Sequence, residues 1–131
     1  MILSILQFQL MQSPMPTPQT PIFRLNGRIW IEAHERFMGV GRLELLEHIQ
    51  QTGSINQAAK AMNMSYKKAW ELVNSMNRQG TDPLVLTQTG GEKGGGAVVT
   101  DAGLRFMEKF RLLQQRFQDF LDAETHLLLS E

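Results

Sequence analysis

The feature that most constrains this chain is a run of three helix patterns between Gly39 and Gly80, separated by stops too short to let the helices drift apart. In "GVGRLELLEHIQQTG", Leu45, Leu46 and Ile49 fall on one stripe with charges elsewhere, and Gly53 supplies the stop. Ser54 and Gln57 have capping-box spacing, and Ile55, Ala58, Ala59 and Met62 follow at helical intervals, which predicts a short second helix. Its paired alanines carry little bulk, so another helix can cross closely. "MNM" breaks the pattern before Ser65 caps a third helix, expected from about Tyr66 to Asn77. Tyr66, Ala69, Trp70, Val73 and Met76 form its apolar face, while Lys67, Lys68, Glu71, Asn74, Ser75 and Arg78 point away. Helix, short helix, tight turn and longer helix is the order of a helix-turn-helix.

Gly80 closes the third helix and Pro83 prevents its continuation. "PLVLTQTGGEKGGGAVVT" then holds two short apolar runs around five glycines, read as a two-stranded hairpin with a long tip, a wing. Thr100 is placed to cap a last helix. On it Phe106, Phe110, Leu113, Phe117 and Phe120 alternate at spacings of four and three, with Leu121 nearby. A helix from Asp101 to about Ala123 would be about 35 Å long at 1.5 Å per residue, more than a small domain needs to close its own core. These six residues are therefore assigned to a dimer interface, with packing inside one chain as the alternative. The expected fold is mainly α with a small β wing: a winged helix-turn-helix with a long C-terminal dimerisation helix. The domain occupies 22–100, the long helix 101–124, and 125–131 form a tail.

Upstream, "FRLNGRIWIE" alternates apolar and polar residues around Asn26-Gly27, which fits a hairpin or one bent strand. "MILSILQFQLMQ" lacks an early cation and an evident cleavage site, and it is shorter than the about 20 residues that a membrane helix needs. "SPMPTPQTP" holds four of the five prolines and reads as an extended tether. Residues 1–21 are expected to form a flexible tail, with a partner-binding segment or an extra helix as alternatives.

Two adjacent lysines at a helix start are electrostatically costly, because the free N–H groups there already create positive potential. A polyanion offsets that cost. The whole chain is neutral, with 13 Lys and Arg against 13 Asp and Glu, so a basic footprint must be local. From Ser54 to Gly80, Lys60, Lys67, Lys68 and Arg78 face only Glu71, a balance of +3. From Phe106 to Glu131, Lys109, Arg111 and Arg116 face Glu108, Asp119, Asp122, Glu124 and Glu131, a balance of -2. Charge is polarised toward the third helix, whose leading end suits a DNA major groove. Lys67 and Lys68 reach guanine edges or phosphates there, Ser65 a phosphate, Glu71 a cytosine amine, and Asn74 or Ser75 the flanking backbone. The pattern does not separate these roles, and paired lysines also occur on ordinary solvated faces. "TGGEKGGGA" lacks the Walker lysine and a strand-loop-helix setting, so it is read as a wing tip that brings Lys93 to phosphate or a minor groove.

The segments "TGSINQAAKAMNMSYKKAWELVNSMN" and "GGEKGGGAVVT" resemble the DNA-binding domain of the ModE family, molybdate-responsive bacterial regulators similar in this domain to LysR-type winged helices. The likeness runs from about Leu25 to Phe110. It implies a winged helix-turn-helix that reads an operator in double-stranded DNA as a homodimer. The matching recognition positions are Ser65, Tyr66, Lys67, Lys68 and Glu71, and Lys93 with its glycines matches the wing. Family members also carry oxyanion-binding domains that hold molybdate or tungstate, for which the residues up to Glu131 leave no room. Direct molybdate binding is therefore not expected, and a constitutive role, a separate signal-sensing partner or another ligand remain the alternatives.

The chain has no cysteine, which excludes disulfides, thiolate catalysis and cysteine-ligated metals and fits a cytoplasmic protein. His34, His48 and His126 are scattered and the eight methionines sit at packing positions, so neither metal nor cofactor is expected. Glu44 and His48 share a helix face as an ordinary surface pair, and no catalytic set accompanies them. The main alternative to DNA binding is a helix-turn-helix that serves protein interaction or assembly.

Overall fold

The computed structural model describes residues 23–88 and 96–130. In chain order they form β1 (Ile31–Glu32), β2 (Arg36–Met38), α1 (Val40–Thr52), α2 (Ile55–Ala61), α3 (Tyr66–Gln79), β3 (Val85–Gln88), β4 (Gly96–Val99) and α4 (Asp101–Leu129). The expectations for residues 1–21 and for most of the glycine-rich tip, Lys93 included, lie outside the described residues. The chain divides into two compact units, Gly27–Phe120 and a second whose described residues are 23–26 and 121–130. In the second, the Leu25 N–H donates to Thr125 Oγ1 at 3.1 Å.

Local chemistry sets the helix ends of the first unit. Ser54 Oγ accepts from the Gln57 N–H at 3.1 Å, Ser65 Oγ from the Lys68 N–H at 3.0 Å, and Thr100 Oγ1 from the Gly103 N–H at 3.0 Å. Each cap satisfies an amide that the helix leaves unpaired, contributing about 1 kcal/mol. Gly53 ends α1 in the left-handed region at φ 69°, its N–H donating to Ile49 O at 2.7 Å. The turn between α2 and α3 is built by Asn63 at φ 53°. Its N–H donates to Lys60 O and that of Met64 to Ala59 O, at 3.2 and 3.0 Å, the paired bonds of a Schellman ending with asparagine in place of glycine.

α1, α2 and α3 pack around one core. Leu45, Leu46 and Ile49 meet Ala58 and Ala59 of α2 and Ala69, Val73 and Met76 of α3, with Phe37, Leu84, Val85, Met107 and Phe110 joining from the other elements. β3 and β4 pair antiparallel, Val85 opposite Val99 and Gln88 opposite Gly96, and form the base of the wing. The Ala97 N–H donates to Gly53 O at 2.8 Å, which fastens the wing to the end of α1.

Three expectations need correction. No strand covers Asn26-Gly27; the hairpin is β1 with β2, and it turns at residues 33–35, where the Ala33 N–H donates to Glu35 O at 2.9 Å. The last helix runs past 123 to Leu129, because Glu124 to Leu129 contains no glycine or proline to stop it. The phenylalanine stripe also divides: Phe110 is fully buried in the domain core, and Phe106 packs edge to face on Phe37, with ring centroids 5.0 Å apart. Both are used within the chain's own core. Leu121 is buried as well, whereas Leu113 and Phe120 are exposed and Phe117 stacks on Phe120 at 6.3 Å.

Candidate nucleic-acid interface

α3 is held by one side and open on the other. Ala69, Val73 and Met76 are fully buried, and burying the valine and methionine alone stabilises its seat by roughly 1.5–3 kcal/mol each. Lys67, Lys68, Glu71 and Asn74 are exposed along the opposite side. Ser65 caps the leading turn with Oγ on the Lys68 amide, so the lysine side chains project from a fixed helix start. Tyr66, expected on the apolar face, is instead 51% exposed and meets Trp70 edge to face with centroids 6.1 Å apart. Its place in the first turn lets it lean outward over Trp70, which is itself half-buried against the core.

Ser75 is the clearest departure. It is only 4% exposed and cannot present its hydroxyl to a DNA backbone. Its Oγ donates to Glu35 Oε1 at 2.5 Å and accepts from Arg42 Nη1 at 2.8 Å and Gln79 Nε2 at 3.0 Å. Gln79 Oε1 also accepts from the Glu35 N–H at 3.0 Å, and its Nε2 donates to Arg36 O at 3.0 Å. The β1–β2 turn is thereby strapped to the second half of α3. Arg78 remains exposed but is paired with Glu35 at 3.1 Å. The Ser75 hydrogen bond holds the Glu35 carboxyl below its usual range, with the Arg78 and Arg42 charges adding and desolvation opposing. Burial lowers the Arg42 pKa, and Glu35 partly restores it.

Beside α3 these groups border an open groove of about 350 Å³, where Arg42, Lys68 and Arg78 outnumber Glu35 and Glu71. The cationic end and the groove lie along the same helix.

Asn77, given no role by its sequence context, joins α3 to the wing. Its Oδ1 accepts from the Leu84 and Val85 N–H groups at 2.8 and 3.1 Å, and its Nδ2 donates to Val85 O at 2.9 Å. Thr100 completes the junction, its N–H donating to Leu84 O at 2.9 Å and its Oγ1 to Pro83 O at 2.7 Å. Of the expected DNA-facing residues, Ser65, Tyr66, Lys67, Lys68, Glu71, Asn74 and Arg78 are thus exposed on α3 and its cap, whereas Ser75, on the same helix, is buried. No histidine, aspartate or glutamate cluster able to hold a metal occurs among the described residues. No helix among them is long and apolar enough to cross a membrane.

A capped two-helix turn, a helix seated by one face and a hairpin fastened beside it define a winged helix-turn-helix domain. Residues 40–104 match the profile of the bacterial regulatory helix-turn-helix protein, lysR family. Over this domain the chain closely matches winged helix-turn-helix regulators of the ModE family. It is 44% identical over 81 residues to the molybdenum transport protein ModE of Azotobacter vinelandii, covering 62% of this chain and 30% of that protein. To the DNA-binding transcriptional dual regulator ModE of Escherichia coli K12 it is 46% identical over 82 residues, covering 63% and 31%. A longer alignment, 36% identical over 112 residues, joins 86% of the chain to 40% of the molybdenum transport protein ModE of Herbaspirillum seropedicae. The chain thus spans about a third of the length of the curated relatives it matches.

Proposed function

We propose that the chain is a sequence-specific regulator that binds double-stranded DNA as a homodimer in the cytoplasm, with α3 in the major groove and the wing on the flanking backbone or minor groove. The observation that supports this best is the exposed Lys67 and Lys68 pair at the capped start of a helix whose opposite face is buried. Tyr66, Glu71 and Asn74 lie within reach of base edges, and Arg78, shared with Glu35, reaches toward the backbone. Lys93 is assigned to the wing contact. The exposed Leu113 and Phe120, with the half-buried Phe117 stacked on Phe120, support dimerisation, because an α-helical stripe of this kind is covered most simply by a second copy of itself.

No enzyme activity is assigned. The Escherichia coli relative is a DNA-binding transcriptional dual regulator, and nothing in the described site arranges a nucleophile with a base. Selection of bound duplexes from a random pool tests the reading. It predicts recovery of a two-fold symmetric motif; recovery without sequence enrichment, at every salt concentration used, would leave only the protein-interaction alternative.

A further inference from the structure

The β1–β2 hairpin, the end of α3 and the first turns of α4 line a cleft of about 380 Å³. That volume falls within the roughly 300–1,000 Å³ of small-molecule sites. Its floor is apolar, made by Ile31, Phe37, Ala102 and Phe106, and the two phenylalanine rings meet at 73°. One side of its rim is cationic. Arg105 and Lys109 stand four residues apart on α4, with Lys109 Nζ 5.9 Å from the Phe106 ring. Among the described residues neither has an ion-pair partner. Asp82 also lines the cleft, which leaves its balance positive, and the Gln79 amide is already engaged by Glu35, Arg36 and Ser75.

We propose that this cleft binds a small aromatic carboxylate, its ring on the Phe37–Phe106 floor and its carboxylate on Arg105, with Lys109 as the second charge. Each part of the ligand answers a feature of the cleft. An inorganic anion would make no use of the apolar floor, and a neutral ring would make no use of the two exposed cations on the rim. The planar guanidinium fork matches a carboxylate in geometry as well as charge. An occupant touches both Gly80 at the end of α3 and Ala102 at the start of α4, the two elements that the proposed regulator uses to read DNA and to pair. Binding itself does not depend on that regulatory reading.

The test is a titration of the full chain with 2-naphthoate, followed in amide proton–nitrogen spectra, with 2-naphthalenemethanol as the neutral analogue. Saturable shifts are expected at residues 31–37, 79–82 and 102–109. Replacing the exposed Arg105 by glutamine should weaken binding about tenfold or more, as expected for a lost charged hydrogen bond. Ala102→Leu, which fills the floor, should abolish binding with the spectrum otherwise retained; if that variant fails to fold, Arg105→Gln decides alone. The proposal is overturned by absence of saturation at millimolar ligand, by equal affinity for the neutral analogue, or by Arg105→Gln binding as wild type.

Discussion

Gly103 offers a test in which two known effects oppose each other. Replacing a helical glycine with alanine ordinarily stabilises a protein, by up to about 1 kcal/mol, through helix propensity and a less flexible unfolded chain. At Gly103 an added Cβ would lie 2.5 Å from Leu84 O and 2.7 Å from Val99 Cγ1. A carbon and a carbonyl oxygen normally stay about 3.3 Å or more apart, so the wing base or α4 must give way by close to an ångström. Overpacking of this kind costs about 1–3 kcal/mol. The displaced Leu84 O is also the acceptor for the Thr100 N–H at 2.9 Å, so the start of α4 loosens with it. The steric cost should win: set against a gain of up to about 1 kcal/mol, it leaves Gly103→Ala destabilised by up to about 2 kcal/mol, or more if the wing base yields little. Gly41 in α1 has nothing within 4 Å of the same added atom, and Gly41→Ala should be neutral or slightly stabilised. Urea unfolding read by tryptophan fluorescence compares the midpoints directly, provided the slopes agree. Gly103→Ala at or above wild-type stability would refute the close approach of α4 to the wing.

The Glu35 carboxyl, held below its usual pKa mainly by Ser75, contributes stability that is present above its unfolded pKa and lost as pH falls through its folded value. Glu35→Gln should therefore lose less stability than wild type in urea melts between neutral pH and pH ~3, and equal losses would show that the strap is not the cause. Asn63→Ala should cost about 1 kcal/mol, because alanine resists the left-handed conformation, while Asn63→Gly should be close to neutral. Thermal melts in which the alanine variant matches wild type would remove the Schellman turn as an explanation. Phe120 is 54% exposed, so Phe120→Glu should leave the protomer folded and halve the mass found by sedimentation; an unchanged mass would place the dimer interface elsewhere.

What could be read from the sequence was what depends on near neighbours. Ser54 with Gln57, Ser65 with Lys68 and Thr100 with Gly103 are each three residues apart, and all three caps form where the spacing predicts. Ser75 shows the opposite case. Its partners Glu35 and Arg42 lie 40 and 33 residues away, and on a helical projection a small polar residue there is indistinguishable from a solvated one. The phenylalanine stripe is apolar, but periodicity does not say what a face meets. Phe37, on a strand too short to register as a pattern, claims Phe106 for the protomer. The hairpin was misplaced because Asn-Gly is a strong turn signal, whereas Ala33 to Glu35 carries none; that turn is held by Gln79 on α3.

The role assigned to the start of α3 is tested most directly by Lys67→Ala/Lys68→Ala in a fluorescence-anisotropy titration of the selected duplex across a salt series. Both side chains are exposed, so the fold should survive. Each lost phosphate contact should lower the slope of log affinity against log salt by about 0.9, and a lost base contact should instead weaken the preferred duplex relative to a scrambled one. The account predicts weaker binding with one or both of these signatures. Affinity, salt slope and sequence preference all equal to wild type would contradict it.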